Sequence, residues 1–119
     1  MNHKNQLSLS KAEIEQAESM AEAQRNEIRQ LVIKQYYDVI LRYKILKIKS
    51  KDFETASVNM QMIEKEFKNG TTSVEEYSRI TGIAYSAETG YESARIDFIT
   101  SYMILEEIVG FKFKQLNIE

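Results

Sequence analysis

The chain's only imidazole is His3, and there is no cysteine to join it. A zinc site takes three or four nitrogen, sulfur or carboxylate ligands in a fixed geometry, so one histidine in a polar N-terminal stretch does not found one. A di-iron site inside a helical bundle needs Glu-x-x-His pairs, and the chain has none. The paired carboxylates Glu75-Glu76 and Glu106-Glu107 are neighbours in sequence. On a helix, adjacent side chains point about 100° apart, so neither pair can share a proton as an acid–base couple. No base is placed to activate a hydroxyl, and the four glycines form no phosphate-binding loop. The residues predict no catalytic group, no cofactor and no metal. What remains is the chemistry of contact.

Charge is the next candidate. Arg42, Lys44, Lys47, Lys49 and Lys51 put five positive charges within ten residues. The net charge is nonetheless −2, which argues against a binder of the nucleic-acid backbone. The run is better read as a solvated helix face making interhelical ion pairs, with Lys47 expected opposite Asp97 and Lys51 near Glu92. At 43% hydrophobic and 29% charged residues, the composition is that of a folded helical protein rather than a disordered one. Met1 to Ser10 lacks the apolar core of a signal peptide. No uncharged stretch approaches the ~20 residues that cross a bilayer as a helix, so direct membrane insertion is not expected.

The elements that carry these side chains are written in the spacing. One line of core-type residues runs Tyr36, Val39, Tyr43, Leu46, Ser50, Phe53, Ser57, Met60, Glu64, Phe67. A second runs Tyr77, Ile80, Ala84, Ala87, Tyr91, Ala94, Phe98, Ser101, Leu105, Ile108. Both alternate steps of three and four, the signature of a seam along one side of a helix. Folded at Asn69-Gly70-Thr71-Thr72-Ser73, the lines pair outward from Phe67 and Tyr77. Ser57 then meets Ala87, Phe53 meets Tyr91, Ser50 meets Ala94 and Leu46 meets Phe98. The predicted fold class is all-α, a long antiparallel coiled-coil hairpin with helix 1 longer than helix 2, assembling into a larger helical bundle.

Boundaries follow from capping chemistry. Ser10-Lys11-Ala12-Glu13 is a capping-box pattern, with Leu9 and Ile14 placed as a hydrophobic staple, so helix 1 is expected over about 10–68 behind a flexible stretch 1–9. Gly70 can take the left-handed conformation that ends a helix. Ser73-Val74-Glu75-Glu76 is a second capping box and starts helix 2, expected over about 74–109 after a turn at 69–73. Gly110 is expected just past its end, and 111–119 as a tail, with Phe111-Lys112-Phe113-Lys114 alternating like a coil or edge strand.

At 1.5 Å per residue helix 1 would be ~87 Å long and helix 2 ~54 Å, leaving residues 11–33 to run ~35 Å past the pairing. That segment has its own stripe: Ile14, Ala17, Ala21, Gln24, Ile28 and Leu31. A stripe without a partner in the chain predicts self-association through Ile14, Ala17, Ala21, Ile28 and Leu31, and the protein is expected to be a homo-oligomer. Between Leu31 and Ile48, twelve of eighteen residues are Leu, Val, Ile or Tyr, more than a single seam uses. Gly82, Ser86, Gly90 and Ala94 recur every four residues, either as a docking groove or as close packing inside the hairpin.

The segment from Phe67 to Tyr77, Phe-Lys-Asn-Gly-Thr-Thr-Ser-Val-Glu-Glu-Tyr, resembles the periplasmic tip of TolC-like outer-membrane efflux proteins. That family has a helix ending in an aromatic or basic residue, then Gly-x-x-Ser/Thr-x-x-Asp/Glu, then a returning helix with alanines among large residues. Here Ala84, Ala87, Ala94 and Val109-Gly110 fill the returning positions, and Tyr36 to Leu41 looks like the descending helix. Ser78 and Ile80 depart from the family's frequent Leu and Ala. The resemblance covers roughly residues 11–110, one tunnel hairpin without the pore strands or second repeat. It implies a transport role at the periplasmic face of the outer membrane, with Gly70, Thr71, Thr72, Ser73 and Glu76 contacting a periplasmic adaptor. The alternatives are a freestanding cytoplasmic coiled-coil scaffold that homo-oligomerises, and a ligand-binding bundle formed at an oligomer interface.

Overall fold

A computed structural model describes the backbone of residues 3–116 and the side chains of residues 10–110. The described backbone is two helices, α1 (His3–Lys68, 66 residues) and α2 (Val74–Leu116, 43 residues), joined by the turn at 69–73. The protein is an all-α helical hairpin with the first helix longer than the second. The chain divides into two compact units, Met1–Lys34 and Gln35–Glu119.

Both helices outrun their expected ends. α1 begins at His3, so Ser10 is inside the helix and does not cap it. The expected staple contact of Leu9 lies outside the described side chains. α2 continues through Gly110 to Leu116, so Gly110 is not a C-terminal cap and 111–116 is neither strand nor coil. The physical reason is shared. Once nucleated, a helix propagates at little cost per residue, and a single interior glycine costs only ~1 kcal/mol. With no proline to stop it and no partner strand to satisfy its backbone, Phe111-Lys112-Phe113-Lys114 makes its hydrogen bonds within the helix.

In the unit Gln35–Glu119, α2 buries the face its sequence predicts. All ten seam positions from Tyr77 to Ile108 are buried or half-buried, with Ala94 at 5% and Ser101 at 3% exposure. On α1 the structure keeps one expected line, Val39, Leu46, Phe53 and Met60, and shifts most of its companion, of which Ser57 stays half-buried. Gln35, Arg42, Ala56 and Ile63 face inward, each one residue before the expected Tyr36, Tyr43, Ser57 and Glu64. Ala56 and Ile63 are 5% and 6% exposed, while Tyr36 and Tyr43 stay about half exposed and Ser50 and Glu64 are exposed. A tyrosine ring carries a hydroxyl that needs water or a partner, and glutamate resists burial. On α1 these groups take the edge; Ala56 and Ile63 fill the seam beside them, while Gln35 and Arg42 reach across it to polar partners on α2.

Two aromatic pairs hold the register. Phe67 stacks on Tyr77 across the turn, ring centroids 4.5 Å apart and planes at 27°. Phe53 meets Tyr91 edge-on at 5.5 Å. Further along, Tyr43 reaches Phe98 from the edge at 5.6 Å. Gln35 donates from Nε2 to the Ser101 carbonyl at 2.9 Å, and the Ser101 hydroxyl donates to the Phe98 carbonyl at 2.8 Å. Among the described residues only Ala56, Ile63 and Ala94 are buried hydrophobics, so the seam is thin, as one pair of helices must be.

Candidate functional site: the hairpin tip and the exposed flanks

The tip is built by two complete pieces of capping chemistry. Gly70 has φ +71°, the left-handed conformation, and its amide donates to the Phe67 carbonyl at 3.1 Å. The Thr71 amide donates to the Glu66 carbonyl at 2.8 Å. Together these are the two bonds of a Schellman motif, which satisfies the last carbonyls of α1. The Thr71 hydroxyl donates to the same Glu66 carbonyl at 3.0 Å. Thr71 thus belongs to the cap, a role its sequence position did not reveal. Thr72 is half-buried and Thr71 is exposed.

α2 starts where predicted. The Glu76 amide donates to Ser73 Oγ at 3.0 Å, so Ser73 is the N-cap. The Glu76 carboxylate does not complete the capping box. It turns along the helix to Arg79, accepting from Nη2 at 2.6 Å and from Nε at 3.1 Å. That bidentate bond holds the Glu76 carboxyl below its ordinary value, and the same bond raises Arg79. Arg79 is the tip residue the sequence reading missed; a Glu and an Arg three apart on one helix are the signal that could have found it. The five tip positions therefore fall in one continuous turn, Gly70, Thr71, Ser73 and Glu76 in its hydrogen bonds and Thr72 between them.

The charge run behaves differently from expectation. Asp97 pairs with Arg42 at 3.8 Å, not with Lys47, and Arg42 also leans on Asp38 at 3.6 Å. Glu92 pairs along its own helix with Arg95 at 3.0 Å, not with Lys51. Lys47 instead lies over the Tyr43 ring, 5.6 Å from its centroid. Arginine's longer fork reaches across from the seam edge, where the shifted α1 face has placed it.

The small residues of α2 do not act as one stripe. Ala94 is buried in the seam, Gly90 is half-buried, and Ser86 and Gly82 are exposed. A Cβ at Gly90 would touch only Lys49 Cδ at 3.7 Å, and one at Gly82 would touch nothing. Steps of four drift around a helix, so the series leaves the seam as it runs. An open groove of about 440 Å³ lies beside Ala56, Ala87 and Gly90.

Large apolar side chains remain exposed along both helices of this unit. On α1 these include Tyr37 at 64% and Ile48 at 61%; on α2, Tyr85 at 68% and Met103 at 60%. In the unit Met1–Lys34, Ile14 is 55% and Leu31 49% exposed, Ala17 is exposed, and Ala21 and Ile28 are half-buried. Among the described residues no three acidic or histidine side chains come together as metal ligands, and no helix is long and apolar enough to cross a membrane. No protein-family model matches the chain, and neither a curated protein nor a solved structure is significantly similar to it.

Proposed function

We propose that this chain is a non-enzymatic assembly module, a helical hairpin whose exposed sides pack against further helices. The observation that carries the reading is the number of large apolar side chains left about half exposed or more, among them Tyr36, Tyr43 and Ile48 on α1 and Tyr85 and Tyr102 on α2. Exposed apolar surface in this amount, on a hairpin with so thin a core, is the mark of a helix that acquires neighbours. The turn supports one setting, a tunnel hairpin like those of TolC-like efflux proteins, working in transport at the periplasmic face of the outer membrane. There the tip residues Gly70, Thr71, Thr72, Ser73 and Glu76 meet an adaptor, and the flanks meet other hairpins. The experiment is a charged substitution at Thr72, which makes no hydrogen bond in the turn, read by adaptor pull-down with helicity as the control. Lost capture with an unchanged fold supports the tip contact; full retention removes it.

A second reading has its own observation. The stripe Ile14, Ala17, Ala21, Ile28 and Leu31 suits a freestanding cytoplasmic scaffold that homo-oligomerises through residues 11–34.

A further inference from the structure

We infer that the segment Glu13–Lys34 pairs with the same segment of a second copy, antiparallel and in one register. The inference rests on the self-association reading and adds to it an orientation and a set of contacts.

The stripe fixes the heptad. Ile14, Ala21 and Ile28 occupy one core line, and Ala17, Gln24 and Leu31 the other. The residues flanking such a core are then Glu18, Arg25 and Val32 on one side and Glu13, Met20, Glu27 and Lys34 on the other. In an antiparallel pair, each flank meets its own counterpart from the partner, and core lines meet crosswise.

Centre the twofold axis between Ala21 and Gln24, and the core layers are Ile14 on Leu31, Ala17 on Ile28, and Ala21 on Gln24. The two inner layers set a small side chain against a larger one, which keeps the helices evenly spaced. On the flanks, Glu18 meets Arg25 and Glu13 meets Lys34, each twice by symmetry. Met20 covers Glu27.

The competing arrangements lose this match. Sliding the antiparallel register by one heptad either way sets Glu18 on Glu18 and Glu13 on Glu27, or Arg25 on Arg25 and Glu27 on Glu27. A parallel pair sets Glu13 against Glu18 of the partner. Like charges at these positions disfavour the wrong pairing, so the segment carries attraction for one register and repulsion for its neighbours. Gln24 beside the axis adds a polar residue to the core, a further register device.

The structure leaves these groups available. Among the described residues the ion pairs are Arg42 with Asp38 and Asp97, Arg79 with Glu76, and Arg95 with Glu92. Glu13, Glu18, Arg25 and Lys34 are in none of them and are exposed.

The test uses the whole chain at low ionic strength, with dimer dissociation followed by sedimentation equilibrium. Glu18→Arg sets a second guanidinium against Arg25, and Arg25→Glu sets a second carboxylate against Glu18. Each raises Kd roughly tenfold or more, the lost pair counting twice by symmetry. The double substitution returns Kd to the starting value, and an equimolar mixture of the two single variants forms a heterodimer. All sites are exposed, so circular dichroism melts of the monomeric fraction stay unchanged. Tighter association of Glu18→Arg overturns the antiparallel orientation in favour of the parallel one. Association unaffected by every swap overturns the pairing while leaving self-association through the unit Gln35–Glu119 in place. A monomeric parent chain overturns both.

Discussion

Phe53 and Tyr91 meet edge-on with ring centroids 5.5 Å apart, and each lies fourteen residues from the stacked pair Phe67 and Tyr77. Equal spacing on both helices means that the register set at the turn is carried unchanged for four helical turns. Aromatic pairs of this geometry contribute ~0.5–1.5 kcal/mol beyond their buried area, and they discriminate against sliding because a slip of one heptad sets Phe67 on Ala84 in one direction and Phe53 on Ala84 in the other.

Ala94 is the most closely packed apolar position of α2. Ala94→Phe adds a ring at a position only 5% exposed and costs ~1–3 kcal/mol as overpacking. Thermal melting checks it; an unchanged midpoint contradicts the seam.

Ile63 and Glu64 decide which α1 line is interior. Ile63→Ala removes a side chain only 6% exposed and should cost ~2–4 kcal/mol, whereas Glu64→Ala should stay within ~0.5 kcal/mol. Urea denaturation of both variants measures the difference, and the reverse order would restore the line containing Glu64.

The turn separates backbone from side-chain effects. A Cβ at Gly70 meets no atom within 4 Å, so Gly70→Ala is opposed by its left-handed φ alone, at about 1–2 kcal/mol. Ser73→Ala removes the N-cap acceptor and should cost ~1 kcal/mol. Gly82→Ala goes the other way. It enters open space in a helix interior and should stabilise by up to ~1 kcal/mol. Melts of the three variants read these signs directly.

The Glu76–Arg79 bond gives a pH signature. Its hydrogen bond lowers the Glu76 pKa in the folded state, so the stability it contributes is fully present above the ordinary Glu range. It is lost as pH falls through that range toward the lower folded value. The difference in melting midpoint between the parent and Glu76→Gln should therefore be constant near neutrality and shrink on acidification. A difference that is flat with pH would show that the carboxylate contributes nothing. The effect is small, because the pair is exposed to solvent.

The hairpin, its turn and the whole α2 face were legible because each rests on local rules: heptad spacing, a glycine in the left-handed region, a serine N-cap. The α1 face was half legible. Its shared line, from Val39 to Met60, fits either neighbour, and the spacing favours Tyr36 and Tyr43 by size. What decides for Gln35 and Arg42 is tertiary: the partner helix offers Ser101's carbonyl and Asp97's carboxylate, while tyrosine hydroxyls keep to water. The helix ends misled for a similar reason. Ser10 and Gly110 are competent caps, but a cap is optional wherever the chain beyond it can continue as helix. At the tip, Thr71's hydroxyl bond to Glu66 depends on the turn's closed geometry, which no residue type announces.

Association is the claim on which the functional reading stands, and mass in solution tests it most directly. Light scattering coupled to size exclusion, at micromolar concentration, should give a dimer or larger species. A single monodisperse species at the chain's own 13.9 kDa would contradict the account.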